Sequence, residues 1–433
     1  MTSEIPAAVT RLARNMPQRG FMGGKSWIFS PEPFPLTRAQ VSELEKLGEL
    51  LRKFVVASHD AYQRSKRGSL PGWIADYLEK GKPDFLIRYA QAPGLQPALS
   101  PVIRPDVLLT ETGFVLTELD SVPGGIGVMD FLHHCYGGLG WQLVGGEDGM
   151  RQGFSNLFPE GADIVLSEES ADYRSEMQWL LSSLKNERFT LCPAESYKAT
   201  CGRSIYRFFE LFDHANIPFL QAAEEELLRG SLKMIAPPRF HLEEKMWFAL
   251  FHRPGLRDFW RRALRDKGYQ QLQQYFPYSW IMDPAPVPHY AAIPRLECSS
   301  WGDLASWGRQ DRQLVVKVSG FSEQAWGSRG VWMGHDMSQD QWKQAIDVAL
   351  TRFDHSPCIL QEFHQPMRVV HPIWNENTGR IEEMEGRVRL CPYYFTINGR
   401  AELGGVLATI VPADKKIVHG METATLVPCR VVD

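Results

Sequence analysis

The chain reads as a mixed fold, part α+β and part α/β, and three stretches predict it. Residues 104–125 set two β-branched runs on either side of a glycine turn. Residues 162–192 run strand, helix, strand, the pattern of a parallel βαβ unit of Rossmann-like type. Residues 314–363 run strand, glycine-bearing loop, strand, helix, strand. A chain of 433 residues exceeds one simple core and fits two or three packed subdomains.

Composition narrows the partners. Hydrophobic residues make up 44% and charged residues 23%, as in ordinary globular proteins, and the formal net charge is -4. Nucleic acid and membrane surfaces select a basic excess, so small molecules are the expected partners. Residues 1–19 are basic in places but hold no continuous apolar run, and no stretch reaches bilayer length, which predicts a soluble, cytoplasmic protein. Seven scattered cysteines without a CxxC pair argue against a disulfide framework or a thiolate zinc site. His133-His134-Cys135 is read as packing, since adjacent positions rarely converge on one ion. Nothing in the pattern specifies an oligomeric state.

The elements follow in order. Residues 1–36, rich in Pro and Gly, are expected to be irregular. Thr37 with Gln40 forms a capping box, and Leu44, Leu47, Leu51, Phe54 and Val55 recur at helical spacing as far as about Ser65. A short helix from Trp73 to Lys80 precedes the acidic hairpin. There Asp106, Glu118 and Asp120 stand among apolar residues, a costly place for acids without a cation or base between them. A three-residue loop, Glu111-Thr112-Gly113, pairs Asp106 with Glu118 and turns all three acids to one face, whereas a two-residue Thr112-Gly113 turn sends Asp106 to the other. Converging hard oxygen ligands suit magnesium. The Pro123-Gly124-Gly125 exit, followed by Gly127, leaves room for a ligand or another backbone.

Downstream, residues 162–166 and 189–192 are expected strands around a helix carrying Met177, Leu180 and Leu184. Ser204 to His214 is expected to be helical. The absence of GxGxxG gives no support to a dinucleotide site. A helix starting near His241 contains Glu243, Glu244 and Lys245, with Lys245 beside its apolar stripe. Residues 268–312 read as a long, partly ordered connection. Lys317 lies inside the apolar strand LVVKV, ahead of a loop with Gly320, Gly327 and Gly330 whose N–H groups can fold over phosphates. Ser338 with Gln341 caps a helix bearing Trp342 and Ile346, and CILQEF is the next strand. Asn398-Gly399 marks a type I′ hairpin, with Arg387 and Arg389 alternating onto one face.

Taken together, Arg104-Pro-Asp106, Glu118-Leu-Asp120, Ser121-Val-Pro123, Lys245, Lys317 and the glycine-bearing Ser322–Gly330 loop resemble the ATP-grasp superfamily. The likeness is to its circularly permuted form, typified by the synthetase domain of glutathionylspermidine synthase, where the acids precede the lysines. Four parts are expected: a helical N-terminal segment (1–98), which lies outside the resemblance, and, as the resemblance implies, a metal-binding hairpin and core (99–150), a βαβ subdomain (151–240), and a nucleotide-binding lobe with the C-terminal hairpin (241–433). It also implies an ADP-forming ligase that joins a small carboxylate to an amine through an acyl phosphate, using ATP and magnesium. Asp106, Glu118 and Asp120 would hold the metal. Lys245 and Lys317 would face the phosphates, with Gly327, Ser328 and Gly330 in a lid loop and Gln361, Glu362 and Phe363 at an adenine hinge. Arg104 would orient the carboxylate or acyl phosphate. Two positions depart from the pattern: Asp120 replaces an Asn, and Ala408 stands where an arginine is common, for which Arg389 is the candidate substitute.

Overall fold

The computed structural model describes residues 5–95, 99–200, 202–288, 291–325, 329–415, 418 and 423–433. The chain divides into two compact units. The first comprises Met1–Arg52, Pro93–Pro237 and Pro366–Asp433, the second Lys53–Ala92 and Pro238–Gln365. The division at Arg52 falls within the helix Arg38–Lys66. The predicted capping box starts that helix: Gln40 N–H donates to Thr37 Oγ1 at 3.2 Å, and Thr37 N–H donates to Gln40 Oε1 at 3.0 Å.

In the first unit a seven-stranded mixed sheet runs in the order Phe34–Thr37, Thr425–Val432, Arg400–Pro412, Arg380–Ile397, Val102–Thr110, Gly113–Asp120. Arg368–Asn375 pairs with the first half of the long Arg380–Ile397 strand. One face is apolar by design of its register. Val107, Leu390, Ala408 and Val427 stand opposite one another across four strands, all fully buried. The adjacent row, Leu108, Arg389, Thr409 and Leu426, points the other way. The predicted turn at Asn398-Gly399 has both residues at positive φ, 49° and 77°, as a type I′ turn requires.

A second sheet of the first unit is all parallel, in the order Phe189–Pro193, Ala162–Leu166, Ser204–Phe208, Lys233–Ile235, with the helix Arg174–Leu184 as its first crossover. Ser204–His214 therefore departs from its helical expectation. Ser204–Phe208 is a strand, almost continuously buried, and a 3-10 turn follows at Leu211–Asn216. The strand's residues are buried on both faces, the charged Arg207 among them, so burial carries no alternation that the sequence could display.

The second unit is built on a four-stranded antiparallel sheet ordered Val331–Met333, Leu314–Val318, Cys358–Glu362, Ser279–Ile281. Val316, Val318, Leu360 and Trp280 pack with Trp342 and Ile346 of the helix Gln339–Thr351, whose Ser338–Gln341 capping box is present as expected. The expected loose connection over 268–312 is better ordered than its composition suggested. A helix, Arg257–Tyr275, runs into it, the edge strand Ser279–Ile281 joins the sheet, and Trp301–Ala305 forms a further capped helix. Among the described residues no helix is long and apolar enough to cross a membrane.

The helix Ile126–Gly137 lies so close to Arg174–Leu184 that a Cβ at Gly127 would press into the carbonyl of Glu176. Gly127→Ala is expected to lower unfolding free energy by about 1–3 kcal/mol. Gly72→Ala, where a Cβ meets nothing within 4 Å, should stay within about 0.5 kcal/mol. Urea midpoints of the two variants check this.

Candidate functional site

The acidic hairpin has the expected pairing from an unexpected source. Asp106 faces Glu118 and Arg104 faces Asp120, yet the turn is the two-residue Glu111-Thr112, closed by the pair Thr110–Gly113. Next to the turn, Val107 pairs with Leu116, which would leave Asp106 facing Thr117. A β-bulge absorbs Thr117 as an extra residue and moves the register by one, bringing Glu118 opposite Asp106. The three carboxylates and Arg104 then share a face. On the neighbouring strand Arg389, Cys391 and Tyr393 point the same way, since Arg389 is paired with Leu108 and Leu390 with Val107.

This face is knitted by charge. Arg104 forks between two acids, donating from Nη1 to Asp106 Oδ1 and from Nη2 to Asp120 Oδ2, the latter at 2.6 Å. Arg389 Nη1 donates to Asp106 Oδ2 at 2.8 Å. The Cys391 thiol donates to Asp106 Oδ1 at 3.5 Å, and Val122 N–H donates to Asp120 Oδ1 at 2.9 Å. Burial disfavours the Arg104 cation, but the charges of Asp106 and Asp120 outweigh it and hold its pKa well above the usual value. Burial pushes the Cys391 thiol up, which keeps it protonated and a donor.

All four oxygens of Asp106 and Asp120 thus already accept hydrogen bonds. Among the described residues no group of three His, Cys, Asp or Glu side chains is arranged to hold a metal ion. The three carboxylates expected to hold magnesium, Asp106, Glu118 and Asp120, are thus brought to one face, with Arg104 and Arg389 paired to two of them. Acid clustering and the two arginines were legible from the sequence; the pairing of both Arg104 and Arg389 with Asp106 was not. Ala408 is also clarified. It lies in the apolar row, turned away from this face, while Arg389 reaches Asp106 directly.

The exit of the hairpin is filled by the chain itself. Gly125, at φ 93°, gives its N–H to the buried Glu176 carboxylate at 2.8 and 3.0 Å, at the N-terminus of the helix Ile126–Gly137. Tyr393 Oη donates to Gly124 O at 2.9 Å, and the Tyr173 ring occupies the place of a Gly124 side chain. Burial raises the Glu176 pKa to about 8, against the opposing pull of the Gly125 and Val128 N–H groups and of Arg104. No periodicity in the sequence marks Glu176, because its partner is a backbone amide.

The lysine residues belong to the second unit. Lys317, buried in the strand Leu314–Val318, donates to Gln361 Oε1 at 2.8 Å, and Gln361 Nε2 donates to Ser279 Oγ at 3.2 Å. Lys245 immediately precedes the helix Met246–His252. Its backbone N–H donates to Ser319 O at 2.9 Å, and its Nζ donates to Ala325 O at 2.7 Å. Glu362 pairs with Arg295 at 3.0 Å. The backbone N–H groups of Glu362 and Phe363 are given to Tyr278 O and Gln313 O, so those two donors are not offered to a base edge. The Phe363 ring meets His335 at 4.3 Å. Gly330 accepts from Val318 N–H at 3.1 Å, and a Cβ there would crowd Val318 and Gln324. Gly327 and Ser328 lie outside the described residues. Lys82, Glu244 and Ser319 complete the surroundings of these lysines, and none of them was singled out by sequence pattern.

No protein-family model matches the chain, and no curated relative matches it. Among solved structures it is similar to a glutathione synthetase-like effector from Globodera pallida in its apo form, at 11% identity and a TM-score of 0.52, over 94% of this chain and 90% of that one. This shows a likeness of fold. A candidate gamma-glutamylcysteine synthetase from Methylobacillus flagellatus matches at 11% identity and a TM-score of 0.37, over 90% and 86%.

Two outcomes follow from the charges. Glu176 has a folded pKa above its unfolded value, so its protonated form stabilises the fold below about pH 4.5 and this contribution is lost as pH rises through about 8. Wild-type urea midpoints should fall between pH 5 and 8.5 relative to Glu176→Gln, which keeps an acceptor for Gly125 and has no such titration. Asp106→Ala leaves two guanidinia without their shared partner and is expected to cost about 3–5 kcal/mol, seen as a lowered melting temperature; an unchanged one would show that the ion pairs are not formed.

Proposed function

We propose that the chain is an ATP-dependent carboxylate–amine ligase that works through an acyl phosphate on a small acid and a small amine. One observation supports it most. Lys317 is a cation seated in the middle of a buried strand, and the backbone of a second lysine, Lys245, is fastened to Ser319, two residues further along the same chain. Elongated, desolvated lysines suit phosphate oxygens, where a low dielectric strengthens the attraction.

On this reading Lys245 and Lys317 take up nucleotide phosphate charge. The acid's carboxylate oxygen attacks the γ-phosphorus, the bond to ADP breaks, and an acyl phosphate forms. The amine nitrogen then attacks the acyl carbon, phosphate leaves with the electron pair, and the amine gives up a proton. Transfer of this kind depends mainly on positioning and electrostatics. In the first unit, taken by itself, Asp106 holds Arg104 and Arg389, planar donors of the kind that match a carboxylate. Magnesium enters with the nucleotide as part of the substrate.

A second reading, a binding protein of the same fold without turnover, is favoured by the engagement of Asp106 and Asp120 with arginines. A kinase-like phosphotransferase is the third. ADP release over mixed carboxylates and amines separates them. Ligation predicts ADP formation that requires both partners and falls at least 100-fold in Lys317→Met. ADP formed without an amine points to the phosphotransferase, and absence of nucleotide binding sinks both enzymatic readings.

A further inference from the structure

Beneath Lys245 lies a buried charge pair. Lys82 Nζ and Glu244 Oε1 are 2.7 Å apart, with side chains 1% and 0% exposed. Both belong to the second unit, and neither is near its surface. The ammonium is flanked by the rings of Phe240 and Phe321, at 5.8 and 5.5 Å, and donates to Lys80 O at 3.0 Å. A buried ion pair contributes little net stability over an apolar pair of similar size, so its retention asks for another role.

The contacts supply one. The second oxygen of Glu244, Oε2, accepts from the Ser319 hydroxyl. The same hydroxyl oxygen accepts from Met246 N–H at 2.9 Å, and the Ser319 carbonyl accepts from Lys245 N–H at 2.9 Å. Ser319 N–H is itself anchored to Pro357 O at 2.9 Å. One residue, two positions beyond Lys317, thereby receives the first two N–H groups of the Lys245 segment, and the Glu244 carboxylate fixes the rotamer that makes this possible. Gly320 leaves room for it: a Cβ there would stand 2.9 Å from Glu244 Cδ and 2.7 Å from Glu243 O. Phe321 follows at φ 45°, a conformation disfavoured for a bulky residue, with its ring over Lys82.

We propose that Lys82 and Glu244 are positioning residues that set the spacing between Lys245 and Lys317 for a nucleotide's phosphates, acting through Ser319. The proposal rests on the reading of the two lysines as phosphate-binding. Lys82 locks Glu244, Glu244 orients the Ser319 hydroxyl, and Ser319 fastens the start of the Lys245 helix to the end of the Lys317 strand.

The double variant Lys82→Met/Glu244→Leu separates positioning from packing, because it replaces the pair by apolar groups of similar size. A fluorescent ATP analogue with magnesium gives the dissociation constant, and thermal melting reports the fold. A melting temperature close to wild type with affinity weakened at least 10-fold is expected, while Lys82→Arg, which keeps the pair, should stay within 3-fold. A folded double variant with unchanged affinity overturns the proposal. If that variant does not fold, Ser319→Ala removes only the hydroxyl link, and there a loss of about 5-fold is expected and unchanged affinity again overturns it. Wild-type protein that binds no nucleotide, or binding untouched in Lys317→Met, overturns the phosphate-binding reading of the lysines and this proposal with it. Binding lost in Lys317→Met but intact in the pair variants overturns the positioning role alone.

Discussion

The carboxylate of Asp106 is the interaction on which the first unit's charged face depends. It receives Arg104 from its own strand and Arg389 from the neighbouring strand, one guanidinium on each oxygen. Each of the three groups would be expensive to desolvate singly; together they exchange water for short, charge-assisted hydrogen bonds. Arg104 continues to Asp120, so the chain of ion pairs crosses three adjacent strands. The apolar row on the reverse of the same strands, Val107 with Leu390 and Ala408, lets one sheet be a core wall on one side and a polar site on the other.

The second unit handles buried charge differently. Lys317 meets a neutral amide, and that amide is held by Ser279 on the edge strand. The fully buried pair Lys82–Glu244 lies away from solvent and acts on backbone groups. Where the first unit gathers opposite charges on a partly exposed surface, the second places its cations within a packed frame and orients them through hydroxyl and amide dipoles. Preorganised dipoles of this sort need no rearrangement when a charged ligand arrives.

Much of this was legible in the sequence where local rules govern. The capping boxes at Thr37 and Ser338, the Asn398-Gly399 turn, the βαβ succession and the LVVKV strand each depend on a few neighbouring residues, and each is present. What escaped depends on contacts distant in sequence. Arg389 meets Asp106 across 283 positions, and Lys82 meets Glu244 from a Gly-Lys-Pro turn that has no pattern of its own. Ser204–Phe208 shows no strand period because both of its faces are covered. The acids share one face as their spacing predicts, and the arginines paired to them come from contacts that spacing does not encode.

The bulge at Thr117 shows how that face is encoded. Glu118 and Asp120 owe their side of the sheet to the irregularity that sets Thr117 outside the ladder. Side chains on a regular strand alternate, so pairing Thr117 with Asp106 would turn both carboxylates to the apolar side without altering a single motif letter. Deleting Thr117 would instead leave Leu116 opposite Val107 and Glu118 opposite Asp106 with no bulge at all. The polar face is therefore a matter of parity in the count of paired positions, which a chain satisfies either by omitting a residue or by setting one aside.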